Sequence, residues 1–271
     1  MGQPLRNKTI TFCGLHGFSG HPEDWSLLRD QFTNWEVPNN WNLLTLPGHH
    51  TASHSDCSAS GHSEWLSTEL SIQVGKTEPQ AQSFTILIGY SLGARLALYH
   101  TISEPIKNKV DALVLISPNP GIKDLEDRKI RQDTDRSLAH FIRKNGIESF
   151  IKKWNQEAII QSQKNSPPTF YKAMQERKLR LNPEALSNSL LNFGQGVFPN
   201  LWPDIKSISI PTLLITGEKD SKYSEISREM LNYNYNFEHR QLPNVGHAAH
   251  MESAKYTAQC IQEFIVSRLN L

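Results

Sequence analysis

Five residues, Gly89-Tyr90-Ser91-Leu92-Gly93, restrict the possible folds of this chain more than any other stretch. They follow Phe84–Ile88, an apolar run that reads as a buried strand, and they precede Leu92–Ser103, which is apolar at helical spacing. A strand that becomes a helix within so few residues must turn sharply at Ser91. Glycine on either side removes the Cβ atoms that would collide across such a turn. The helix start also presents N–H groups that have no intrahelical partner to any negative charge that forms beside them. Gly-x-Ser-x-Gly by itself is common, but between a strand and a helix it specifies a nucleophile elbow at a sheet edge.

The remaining apolar runs supply a sheet for that elbow. Strands are predicted at Thr9–Leu15, Trp41–Leu46, Phe84–Ile88, Ala112–Ile116, Thr212–Ile215 and His239–Leu242. Such continuous runs suit a parallel sheet covered on both faces. Helical patterns alternate with them at Glu23–Phe32, Gly61–Val74, Leu92–Ser103, Ile226–Asn232 and Ala254–Leu269. The expected fold is therefore α/β, a mainly parallel six-stranded sheet flanked by helices. From Pro118 to Ile205 no strand is predicted, and the stretch is polar and helical. Residues 1–117 and 206–271 are expected to form the core, and 118–205 a helical cap over the C-terminal edge of the sheet.

Composition narrows the function. Lys plus Arg is 28 against 27 Asp plus Glu, which gives no support for a nucleic-acid or membrane-surface partner. No apolar run approaches the roughly 20 residues that a bilayer helix needs, and Met1 to Asn7 has no signal-peptide pattern. Arg6 breaks the myristoylation pattern after Gly2. Cys13, Cys57 and Cys260 are too scattered for a disulfide framework or a zinc ribbon. These readings predict a cytoplasmic protein, a monomer or weak homo-oligomer. The cap differs from the whole: residues 121–180 carry 14 Lys plus Arg against eight Asp plus Glu. That is either a solvated helical face or a basic roof over an anionic ligand.

A serine hydroxyl needs a base, and the base needs an orienting carboxylate. In this architecture the order is Ser, acid, His, each at or just after a strand end. Asp220 follows the strand Thr212–Ile215, and His247 follows the last strand, so Ser91, Asp220 and His247 are the predicted catalytic residues. Glu218 is a rival acid nearer its strand end, and His250 a rival base at the start of the final helix. Two N–H groups should form an oxyanion hole: that of Leu92, and that of Phe18 in the loop Leu15-His16-Gly17-Phe18 after the first strand. His49, His50, His54 and His62 lie near Asp56 and Cys57, but no zinc motif matches. The segment reads as a mobile loop, with a metal site as the alternative. The expectation is no metal and, in the absence of a Gly-rich phosphate loop, no cofactor.

These residues resemble the α/β-hydrolase superfamily. A narrower resemblance is to the 2-succinyl-6-hydroxy-2,4-cyclohexadiene-1-carboxylate synthases of menaquinone biosynthesis. It rests on Leu15-His16-Gly17-Phe18-Ser19-Gly20 with Asp24-Trp25, on Leu46-Pro47-Gly48-His49, and on Gly89-Tyr90-Ser91-Leu92-Gly93-Ala94-Arg95. Pro120-Gly121-Ile122, the arginines Arg128, Arg131 and Arg136, and then Trp154, Arg180 and Gln195 extend it. Asp220-Ser221-Lys222-Tyr223 and Gly246-His247-Ala248-Ala249-His250 complete it. His50 and Ala94 depart from that pattern, which has a small residue and glycine there, and Ile160 stands where an aromatic would pack. The resemblance implies a small-molecule substrate with three carboxylates, bound by Tyr90, Arg95, Arg128, Arg131, Trp154, Arg180 and Gln195. It implies elimination of pyruvate after Ser91, activated by His247 and Asp220, takes a proton. The alternatives are a serine hydrolase acting on a small anionic ester and a non-catalytic binding protein of the same fold.

Overall fold

The structure is a computed structural model, and it describes residues 8–50, 56–74, 82–104 and 110–271. Six strands, β1 (Lys8–Leu15), β2 (Asn39–Leu44), β3 (Gln82–Tyr90), β4 (Ala112–Ile116), β5 (Thr212–Gly217) and β6 (Phe237–Leu242), form one sheet in the order β2-β1-β3-β4-β5-β6. Every neighbouring pair is parallel. All the strand C-termini therefore share one edge. The chain leaves β1 outward to β2, then crosses back to β3, so the crevice beyond β1 and β3 is the topological switch point. Ser91, directly after β3, stands at that crevice.

Helices cover both faces of the sheet. Before the insertion come α1 (Ser26–Asp30), α2 (Ala59–Val74) and α3 (Leu92–Ser103). The insertion between β4 and β5 holds α4 (Leu125–Trp154), α5 (Ala158–Gln161), α6 (Pro168–Lys178) and α7 (Pro183–Phe193). Then follow α8 (Ser221–Met230), α9 (Ala249–Glu252) and α10 (Ala254–Leu269). Alternation along the strands divides the core: Ile86 and Ile88 pack with Trp25 and Phe264 on one face, while Leu87 packs with Leu96 and Trp202 on the other. A third cluster, including Ile142, Phe150 and Leu186, is built within the insertion, with Phe18 from the loop after β1 packed against it. Among the described residues, no helix is long and apolar enough to cross a membrane.

The insertion leaves and rejoins the sheet through a narrow neck. The Leu201 N–H donates to the Pro120 carbonyl at 2.7 Å, and the Trp202 indole donates to the Gly121 carbonyl at 3.0 Å. Within it, α4 breaks at Gly146, whose φ of 76° and ψ of 175° lie outside helical space.

β3 and β6 each begin two residues before the expected runs, and three further elements differ from the sequence expectation. β2 is Asn39–Leu44 and not Trp41–Leu46, because the Leu46 N–H turns away from the ladder to the His16 ring at 3.1 Å. The helix expected over Glu23–Phe32 is a 3-10 turn at Pro22–Trp25 followed by the short α1. α8 begins at Ser221, five residues before the expected Ile226.

Candidate active site

The elbow is built by close backbone packing. A Cβ on Gly93 would lie 2.1 Å from the Leu15 carbonyl oxygen, and one on Gly89 would lie 2.5 Å from that of Gly93. Ser91 has φ 51° and ψ −103°, a conformation that is costly for a residue with a side chain. It is held by its N–H on the Ile116 carbonyl at 2.9 Å and its carbonyl on the Arg95 N–H at 3.1 Å.

Asp220 and His247 meet Ser91 across the sheet edge. The His247 ring lies 2.7 Å from Asp220 Oδ2 through Nδ1 and 3.1 Å from Ser91 Oγ through Nε2. A carboxylate only accepts, so Nδ1 carries the proton and Nε2 is left to accept from the hydroxyl. His247 and Asp220 are buried, so their contact is shielded from water. The rivals point elsewhere. Glu218 accepts from the Asn244 N–H at 2.9 Å. His250 is buried between the rings of Trp25 and Tyr90, and burial pulls its pKa down to about 3.

The loop around His247 is fixed by side chains. Glu252 accepts the N–H groups of Gly246 at 2.8 Å and Ala248 at 2.9 Å. Ser162 Oγ, from the insertion, accepts the His247 N–H at 3.3 Å. The Ser117 hydroxyl donates to Asp220 Oδ2 at 3.0 Å and to the His247 carbonyl at 2.9 Å. None of these three residues was singled out from sequence. Ser117 could have been, because it directly follows the apolar run of β4 at the edge where site residues gather.

Phe18 and Leu92 both line the cavity beside Ser91. Leu92 opens α3, so its N–H has no intrahelical acceptor. Phe18 lies in a loop braced by three histidines. His16 donates from Nδ1 to the Gly17 carbonyl at 2.8 Å and accepts the Leu46 N–H through Nε2. His49 accepts the Ser19 N–H at 3.1 Å, and His50 bonds the Gly20 carbonyl at 3.1 Å. Burial holds His16 neutral, at about 3, and puts His49 well below its ordinary value. The mobile-loop reading is corrected at two described histidines: His49 is buried, and His62, on α2, stacks on Phe193 at 4.4 Å. His54 lies outside the described residues. His50 has φ 49°, which a small residue such as glycine would adopt without strain.

The insertion roofs the cavity with Arg131, Leu138, Trp154, Ile160, Gln163 and Gln195, facing Tyr90, Arg95 and Tyr223 from below. The Trp154 indole N–H is buried without a partner. Arg95 is buried beneath Phe193 and Phe198, with its guanidinium carbon 5.6 and 5.4 Å from the ring centres. Its Nη1 has no hydrogen-bond partner, and burial lowers its pKa to about 10. Arg131 bonds Asp135 at 2.7 Å and Gln195 at 2.5 Å, and Gln195 passes the contact to the Tyr223 hydroxyl at 2.9 Å. Burial holds the Tyr90 and Tyr223 hydroxyls above their ordinary range, so both are neutral phenols.

Two of the four expected arginines do not reach this cavity. Arg128, one turn before Arg131 on α4, donates to the Gly196 and Val197 carbonyls at 3.1 and 3.2 Å. Arg180 is exposed beyond the end of α6. The cation that points inward there is Lys178, buried, with Nζ 2.9 Å from Gln163 Oε1. Burial pulls its pKa from 10.5 to about 8. Lys178 follows Met174 by four residues on the packed face of α6, which is a readable signal for an inward lysine.

The sequence profile of the alpha/beta hydrolase family matches residues 15–259. A Bacillus subtilis (strain 168) protein provisionally named 2-succinyl-6-hydroxy-2,4-cyclohexadiene-1-carboxylate synthase is 31% identical over 254 residues, covering 93% of this chain and 89% of that protein. The synthase of that name from Enterobacter sp. (strain 638) is 25% identical, over 94% of this chain and 91% of its own. Among solved structures, MenH from S. aureus superposes with a TM-score of 0.85 at 28% identity, covering 97% of this chain and 95% of the other. The chain belongs to the alpha/beta hydrolase family and, within it, to the 2-succinyl-6-hydroxy-2,4-cyclohexadiene-1-carboxylate synthases, enzymes of the lyase class.

Proposed function

We propose that this enzyme eliminates pyruvate from 2-succinyl-5-enolpyruvyl-6-hydroxy-3-cyclohexene-1-carboxylate to give 2-succinyl-6-hydroxy-2,4-cyclohexadiene-1-carboxylate. His247, oriented by Asp220, accepts the Ser91 proton as the Ser91 oxygen removes a proton from substrate carbon. The electron pair moves through the conjugated system, the bond from ring carbon to enolpyruvyl oxygen breaks, and the leaving enolate takes a proton to become pyruvate. The N–H groups of Phe18 and Leu92 stabilise the enolate oxygen that develops on the succinyl ketone. No water attacks and no acyl–Ser91 species forms.

The observation that carries the reading is Arg95. A buried guanidinium with an unpartnered nitrogen beside a nucleophile elbow is costly unless an anion completes it. Arginine grips carboxylates in two-pronged fashion. Arg131 at the cavity wall and the unpartnered Trp154 indole supply further donors for a substrate with several carboxylates. A cavity for neutral esters would have no use for Arg95.

The test is release of pyruvate from the enolpyruvyl compound in a coupled assay with a chelator present, beside a panel of simple esters. Rapid pyruvate release, lost by about four orders of magnitude or more in Ser91→Ala, and slow ester turnover are expected. Efficient ester hydrolysis without pyruvate release would sink the lyase reading and leave a serine hydrolase.

A further inference from the structure

Ser117 closes β4 at φ 49°, fully buried, with its N–H on the Ile215 carbonyl at 2.8 Å. A left-handed residue with a side chain costs free energy that glycine would not. Its hydroxyl bonds Asp220 Oδ2 at 3.0 Å and the His247 carbonyl at 2.9 Å. Both atoms only accept, so one proton is shared between them. The same Oδ2 receives the His247 Nδ1–H. One hydroxyl thus joins three strand ends: β4, the loop after β5 that carries Asp220, and the loop after β6 that carries His247. Glu252 and Ser162 hold the N–H groups of the His247 loop, and Ser117 holds the His247 carbonyl.

We propose that Ser117 is a positioning residue of the triad: its hydroxyl locks the Asp220 carboxylate and the His247 backbone in one register, and the backbone strain at this position is retained for that purpose. The inference rests on reading Ser91, His247 and Asp220 as the working relay, though not on which substrate the relay meets. It separates two effects that usually travel together. Ser117→Gly removes the hydroxyl and relieves the strain. Ser117→Ala removes the hydroxyl and keeps the strain.

Both variants are compared with the wild-type chain in three measurements: thermal melting, kcat and KM for pyruvate release, and the low-field proton resonance of His247 Nδ1–H in the ligand-free enzyme, assigned by its loss in His247→Gln. Ser117→Gly should melt at or above the wild type, and Ser117→Ala below it. Both should lose about 10- to 100-fold in kcat with little change in KM, and both should broaden the Nδ1–H resonance through faster exchange. If activity instead follows stability, with Ser117→Gly as active as the wild type, the residue is structural and the proposal fails. It fails also if the resonance stays sharp in both variants, or is missing from the wild type. Should no form release pyruvate, the resonance still decides the role of Ser117, and only the substrate reading falls.

Discussion

The sheet edge and the helical insertion build the two halves of one cavity by different means. On the sheet side, groups start from backbone geometry: Ser91 from a turn in which Gly93 lies against Leu15, and Asp220 and His247 from loops that follow adjacent parallel strands and are then pinned by Ser117, Ser162 and Glu252. On the insertion side, groups are placed by side-chain contacts along helices: Arg131 through Asp135 and Gln195, and Lys178 through Gln163. Backbone placement tolerates almost no change, while side-chain placement can be altered one residue at a time. Ser91, Asp220 and His247 therefore sit on the rigid half, and the groups lining the cavity are divided between the halves.

That contrast can be broken most severely at the glycines. Gly93→Ala should cost about 4 kcal/mol or more in stability, since its Cβ would fall 2.1 Å from backbone oxygen. Gly146→Ala, in the insertion, meets nothing within 4 Å and should cost about 1–3 kcal/mol, for its positive φ alone. Chemical denaturation of the two variants measures the difference, and equal losses would refute the division. Next in size is Arg95→Met. Substrate binding should weaken by about 3–5 kcal/mol, the loss on breaking a buried pair from one side, while the melting temperature holds or rises because an unpaired buried cation has gone. Steady-state KM beside a thermal melt tests both halves of that statement.

Lys178→Met should sharpen the picture of the insertion. The folded chain binds the Lys178 proton less tightly than the unfolded chain, at about 8 against 10.5, because the amine is buried. The cost of the buried charge is fully present below pH 8, and stability from this group rises as pH climbs from 8 towards 10.5. A depression of that size corresponds to about 3 kcal/mol. The methionine variant should exceed the wild type by an amount of that order at pH 7, and the gap should shrink steadily above pH 8 and close only beyond about pH 10.5. A gap that does not depend on pH would show that the lysine is not carrying a charge into the interior. The smallest effects belong to Arg180→Ala, which should change stability and KM by less than about 0.5 kcal/mol, as expected for an exposed side chain away from the cavity. A large rise in KM there would restore Arg180 to the substrate site.

The same division explains what could be read in advance. Buried parallel strands are nearly continuous apolar runs, so six strands and the elbow were legible, and the order Ser, acid, His followed from the strand ends. β2 was displaced because a histidine side chain captures the Leu46 N–H, a contact between residues thirty positions apart. The start of α8 was hidden because Asp220, which stands at its N-cap, spends its carboxylate on His247 and Ser117 and leaves no cap hydrogen bond. In the insertion, a single turn decides the role of each cation. Arg131, Asp135 and Leu138 share one face of α4, and Arg128 falls against the Gly196–Val197 loop. Charge content left a solvated face and a basic roof both open, and only three-dimensional register separates Arg131 from Arg128 and Lys178 from Arg180.

The neck at Pro120 and Leu201 bears on how such an enzyme can diversify. Its two ends are already joined by a 2.7 Å hydrogen bond, so the sheet meets the intervening stretch as a loop closed at its base. Doubling the length of a closed loop adds only about 0.6 kcal/mol of closure entropy. The roof can thus be lengthened, trimmed or exchanged between those two residues while the triad beneath keeps its coordinates. Grafting at this joint is the economical route to a new substrate, and inheritance can explore roofs without reinventing the chemistry under them.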